Sequence, residues 1–197
     1  MKSVFISKRF YLAVVPLILL FPAHVFPQIQ SRIIRSHETS DADGRLLELT
    51  EVQVAGQQID FDKPFSAGDD WLRTLKLKVK NISGKPIGFF RISFELFKDK
   101  DEKSKPYDSV EYTLQLRRGK PSVKKKNKYS YEGKPTKVVL KPDEETELTF
   151  ADIDQLSKKV VEETGEGNFC QARLLGVEVQ FKDGTFEEGA LLIHNEH

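Results

Sequence analysis

Cysteine is nearly absent. Cys170 is the only one in 197 residues, so no internal disulfide can form and stability has to come from core packing. It stands between Phe169 and Gln171, just before an apolar stretch, and is expected to behave as a small buried hydrophobe. Histidine is scarce as well. His24, His37, His194 and His197 have no His or Cys neighbour at metal-ligand spacing within a patterned segment, and the last two belong to a tail expected to be mobile. The chain has no Gly-x-Ser-x-Gly elbow, Cys/His pair, His-Glu-x-x-His or phosphate-cradling glycine loop. These absences argue against an enzyme, and no catalytic residue, metal or cofactor is expected. Net charge is +1, so overall charge points to no particular partner, and any anion argument needs a local patch.

Long apolar runs are missing too, but a short one is present. Met1–Arg9 is basic, Phe10–Phe21 is apolar over 12 residues, and small and polar residues arrive around Pro22–Gln28. That layout is a secretory signal, here assigned to residues 1–27. The run is short of the about 20 residues of a bilayer span. No clean Ala-x-Ala precedes a cut, and Ala23 and Val25 are both imperfect sites. The expected location is secreted or periplasmic, and no nucleic-acid partner is expected there. The leader carries Lys2, Lys8 and Arg9 and no acid; its loss leaves 28 bases against 30 acids. The remaining roughly 165–175 residues suit one domain.

The strongest pattern lies in Trp71–Phe97. Leu75, Leu77 and Val79 alternate with Lys76, Lys78 and Lys80; after Asn81–Pro86, Phe90, Ile92, Phe94 and Leu96 alternate with Arg91, Ser93 and Glu95. Period-two alternation means a strand with one buried face, and Gly84 and Pro86 suit a turn. The two segments are expected to be neighbouring strands of one sheet. Residues 28–44 read as a flexible lead-in and 45–194 as a single domain. Arg45–Val54 reads as its first strand, with a bulge near Thr50 where the apolar parity changes. Gly56–Asp70 reads as an irregular connection, Tyr107–Leu116 as an edge strand, and Lys134–Leu140 and Thr146–Phe150 as short strands. Asp152 can cap a helix over 152–164 with Ile153, Leu156 and Val160 on its apolar stripe. Leu175, Val177, Val179 and Phe181 form one face of a closing hairpin turned by Asp183-Gly184. The fold class is therefore all-β and mainly antiparallel, an immunoglobulin-like or fibronectin-like β-sandwich of about seven strands with one short helix near residues 152–164.

Leu75-Lys-Leu-Lys-Val-Lys-Asn81, Ser83-Gly-Lys-Pro-Ile87 and Val179-Gln-Phe-Lys-Asp-Gly-Thr185 resemble segments of exported bacterial domains of uncharacterised role with an immunoglobulin-like fold. The likeness spans roughly two-thirds of the chain and implies a sandwich, with no chemistry attached.

One charge feature stands out. Arg117–Lys128 reads RRGKPSVKKKNK, without a single acid. Arg117, Arg118, Lys120, Lys124, Lys125, Lys126 and Lys128, with Tyr129 and Tyr131 beside them, are the candidate polyanion-binding residues; an anionic surface is the partner they imply. A solvated loop that keeps an edge strand from pairing is the plainer role. Asp60, Asp62, Asp69 and Asp70 invite a calcium test, but four carboxylates fall short of the about six to eight oxygens calcium takes. Phe89 and Phe97 sit on the polar parity and are expected to be covered at strand ends, a row of outward aromatics being the alternative. The function these readings support is a non-enzymatic, exported module that binds a protein or envelope component. The alternative is a polyanion or carbohydrate binder using 117–128.

Overall fold

The computed structural model describes residues 29–36, 44–98, 112–122 and 133–193. Alternating side chains there give ten strands: β1 (Gln30–Arg35), β2 (Arg45–Val54), β3 (Gln57–Gln58), β4 (Phe65–Ala67), β5 (Lys76–Asn81), β6 (Ile87–Phe97), β7 (Thr113–Gly119), β8 (Glu145–Leu148), β9 (Gln171–Phe181) and β10 (Phe186–Ile193). One α-helix, α1 (Gln155–Thr164), joins them. The fold is all-β in class, with more strands than the expected seven or so, and its sheet is mixed. β1 runs parallel to β9, and β10 parallel to β2.

The strand order is β4-β1-β9-β10-β2-β5-β8, with β3 on β2 and β6 joining β7 to β9. β10 connects two arms. Phe186–Gly189 pair antiparallel with β9, and Ala190–Ile193 then pair with β2 across a register shift. Glycine is required at the changeover, because a Cβ on Gly189 would strike the carbonyl oxygen of Gly44. Leu47, Leu49, Val52, Leu77, Val79 and Leu148 from one arm merge with Phe90, Ile92, Phe94, Leu116, Val177 and Val179 from the other in one buried cluster.

The strands either side of Gly84 do share that interior, but they are not neighbours. β5 pairs with β2 and β8, while β6 pairs with β7 and β9. Both hydrogen-bonding edges of each strand are occupied, so the link between them passes from one arm to the other. Asn81 shapes that link. Its Nδ2 donates to the carbonyls of Lys85 (2.8 Å) and Leu140 (3.3 Å), and its Oδ1 accepts from the amide and hydroxyl of Ser83.

Residues Gln30–Arg35, expected within a flexible lead-in, form a strand inserted between β4 and β9. Arg45–Val54 is thus the second strand, and its bulge falls between Leu49 and Glu51 as the parity change implied. β7 extends to Gly119, so Arg117 and Arg118 belong to a strand rather than a loop. Lys134–Leu140 forms no strand beyond a single bridge from Leu140 to Ile87. The helix is capped by Asp154, whose Oδ1 accepts from the amides of Leu156 (2.8 Å) and Ser157 (3.1 Å). Asp152 instead closes a capping box with Thr149 around the 3-10 turn Phe150–Asp152. Ser157 and Val161 form the buried helix face, and Leu156 is 74% exposed. The closing hairpin forms, but a bulge turns Leu175 outward and Leu174 inward.

Candidate binding surface

The basic run leaves the described structure at Ser122 and the chain returns at Gly133. Gln180, fully buried near the end of β9, joins the two stems. Its Oε1 accepts from the Ser122 amide (2.9 Å), and its Nε2 donates to the Gly133 carbonyl (3.0 Å). A buried amide of this kind must be satisfied, and here the satisfaction fixes where both stems emerge. Gly184, at φ +100°, lets the β9–β10 turn approach Gly133. Lys182 spends its ammonium on the carbonyls of Pro135 (2.6 Å) and Thr136 (2.7 Å). The stretch 133–136 is thus stitched onto the hairpin.

The candidate residues divide into three groups. Lys124, Lys125, Lys126, Lys128, Tyr129 and Tyr131 lie outside the described residues. Arg118, on β7, is engaged with β8 and the turn that follows it. Its guanidinium donates to Thr146 Oγ1 (3.2 Å) and the Glu147 carbonyl (2.7 Å) and pairs with Asp152 (3.0 Å), tying the edge of β7 to β8. Arg117 and Lys120 are exposed, and neither has an ion-pair partner among the described residues.

Sequence reading missed three groups. Lys134 and Lys137 are exposed beside the stems, likewise without a carboxylate partner among the described residues. The sequence pattern of Lys134–Leu140 suggests a short strand, whereas only Leu140 forms a bridge and both lysines stay exposed. Lys85, by contrast, pairs with Glu187 (3.4 Å) and lies 4.8 Å from the Phe181 ring. Asp183, in the adjoining turn, is held below its ordinary value first by the Thr185 amide, then by the Thr185 hydroxyl, with Lys85 and Lys134 adding attraction. Arg32 is the third omission. It donates to the carbonyls of Phe169 (2.5 Å) and Gly167 (3.1 Å) and pairs with Asp69 (3.2 Å), itself 53% exposed. Trp71 Nε1 donates to the same Phe169 carbonyl (3.0 Å). These contacts tie β1 to the segment before β9 and to the Asp69–Trp71 turn.

The other sequence candidates are dispersed. Asp60 pairs with Lys63, Asp62 accepts from Ser36, Asp69 serves Arg32, and the Asp70 carbonyl turns the chain by accepting from Arg73 and Thr74. Among the described residues no three His, Cys, Asp or Glu groups converge as a metal site. Phe89 and Phe97 are both buried; the Arg173 guanidinium covers the Phe97 ring at 5.0 Å and also pairs with Glu95. Cys170 is half-buried, 4.0 Å from Arg32 Nη1. No helix among the described residues is long and apolar enough to cross a membrane. Compared with family models, curated proteins and solved structures, the chain matches none.

Proposed function

We propose that this chain is an exported, non-enzymatic binding module built on an immunoglobulin-like or fibronectin-like sandwich, resembling exported bacterial domains of that fold. It works by docking a protein or envelope component at one loop end. The observation that carries this reading is the Gln180 clamp, which presents both stems of the basic segment together at a single end of the molecule. The shared β10 and the single core drawn from both arms support the sandwich reading. The basic n-region and short apolar run support export. Capture from an envelope extract by the leaderless protein tests the module: one partner enriched by wild type and lost on Gln180→Ala supports it. Equal recovery from both proteins counts against a role for this end.

A second reading, a polyanion or carbohydrate binder, is favoured by the exposed Arg117 and Lys120 leading into the lysine run. Salt-dependent retention on heparin, lost when Lys124, Lys125 and Lys126 become Ala, is the expected result. Retention that the triple change leaves intact removes those lysines from the function.

A further inference from the structure

The outer face of β7, β6, β9 and β10 carries charge in a fixed order. Arg117 on β7 stands opposite Arg91 on β6, Arg91 opposite Glu178 on β9, and Glu178 opposite Glu188 on β10. Directly paired residues of antiparallel strands share one face, so the register lays these four side chains in a single row. The row is three strand spacings long, about 14 Å, and reads plus, plus, minus, minus. Its middle is neutralised within the chain: Glu178 pairs with Arg91, whose guanidinium also donates to Gln115 Oε1 (3.2 Å). Its ends are not. Arg117 and Glu188 are exposed and make no ion pair among the described residues. Each also lies beside a residue of its own sign, an arrangement that destabilises a sheet.

A row of this order is its own complement. Turned over about a two-fold axis that runs along the strands between β6 and β9, a second copy presents minus, minus, plus, plus. Each Arg117 then meets the other copy's Glu188, and each Arg91 the other copy's Glu178. The next charged row obeys the same symmetry, with Glu95 on β6 opposite Arg173 on β9. Between the two rows Ser93 and Gly176 stand opposite each other, and side chains this small let two faces approach. We propose that this face is the contact between two copies of the chain, an isologous dimer of two-fold symmetry. A surface of one sign suits any surface of the other, whereas this order suits its own reversal. The contact uses none of residues 120–137 and does not depend on either reading of the basic segment. The face defined by the two rows is roughly 14 by 13 Å, well short of the about 800 Å² per partner of a standard interface. The dimer is therefore expected to be weak and, being held by ion pairs, to loosen with salt.

The chain from Gln28 to His197, which keeps every described element, is followed by sedimentation velocity from micromolar to near-millimolar concentration. Wild type is expected to pass from monomer to dimer, and to return to monomer when salt is raised from about 20 mM to about 500 mM. Arg117→Glu and Glu188→Lys each set like charges against each other at both ends of the row, and each is expected to weaken self-association by about tenfold or more. Mixed in equal amounts, the two variants regain opposite charges at every position, and a heterodimer of wild-type strength is expected. Both positions are exposed, so the thermal midpoints are expected to stay unchanged, and rescue by mixing itself shows that both variants are folded. Wild type that stays monomeric throughout overturns the proposal, whether the row serves another molecule or only solvent. Dimerisation that both variants retain places the contact on another surface and overturns it too. Variants of unchanged midpoint that associate neither alone nor mixed overturn the two-fold pairing.

Discussion

Arg32 carries a full charge into an interior where its side chain has no exposed surface. Such a charge persists only when paired and hydrogen-bonded. Asp69 supplies the opposite charge, and the Phe169 and Gly167 carbonyls fill much of the guanidinium's donor capacity. Arg32→Ala strips both carbonyls of a donor and leaves a cavity; the expected loss is about 2–4 kcal/mol of stability, read by urea denaturation. Lysine is not expected to rescue it, because one ammonium cannot reproduce the planar fork. The exposed pairs Lys76–Glu147 and Lys78–Glu145 belong to a weaker class, about 0–1 kcal/mol each. Asp183 gives a pH signature of definite sign. Its carboxyl is lowered from 3.8 in the folded chain, so it contributes stability above that pH and loses it as pH falls through the lower folded value. Urea midpoints of wild type and Asp183→Asn should therefore differ at pH 6 and converge in strong acid; a gap that stays constant with pH would contradict this.

At the scale of elements, the helix is the clearest case of a pattern read one step out of phase. Ile153, Leu156 and Val160 offered an apolar stripe in the sequence, yet Ser157 and Val161 face inward. Leu156 stays exposed because the helix is positioned by polar contacts at its start. The Ser157 hydroxyl accepts from the Gln115 amide (3.1 Å), and the Asp154 amide donates to the Gln115 carbonyl (3.0 Å), occupying the open edge of β7. A short apolar stripe loses to an unpaired strand edge, whose exposed amides invite unwanted pairing. Asp154→Ala is expected to cost about 1 kcal/mol or more, since it removes both the cap and the partner of Ser157. Asp152→Ala acts differently, through its capping box and its pair with Arg118. Helical circular dichroism at 222 nm should accordingly fall with the first change and hold with the second. The strands were more legible. Alternation in Leu75–Val79 and Phe90–Leu96 identified buried faces correctly, because a half-buried strand has no other way to segregate its side chains. β1 was not legible, because Gln30-Ser-Arg-Ile-Ile-Arg35 buries an arginine where alternation would put an apolar residue.

For the whole molecule, the position of β1 makes Gln30–Arg35 part of the folded unit. A chain starting at Gly44 loses the partner of β4 and of Gln171–Arg173, together with the buried guanidinium. It is expected to be poorly folded, with a lost near-ultraviolet signal from Trp71 and increased dye binding. A chain starting at Ile29 is expected to unfold in one cooperative transition. Equal stability of the two would make β1 an accessory strand. The same placement sets the molecule's polarity, with the N-terminal strand at one end of β9 and the basic stems at the other.

Sequence alone determined the exclusion of an internal disulfide, the β-rich class, the inward faces of the main strands and the Asp-Gly hairpin. Each follows from composition or from spacing over a few neighbouring residues. Tertiary structure alone decided that β5 and β6 belong to different arms, that β1 joins the sheet and that Arg118 is a tie rather than a free cation. It also decided that Gln180 gathers the two stems of the basic segment. Those outcomes depend on which backbone edges and which buried donors find partners far along the chain, and local periodicity carries no record of partners 47 or 58 residues away.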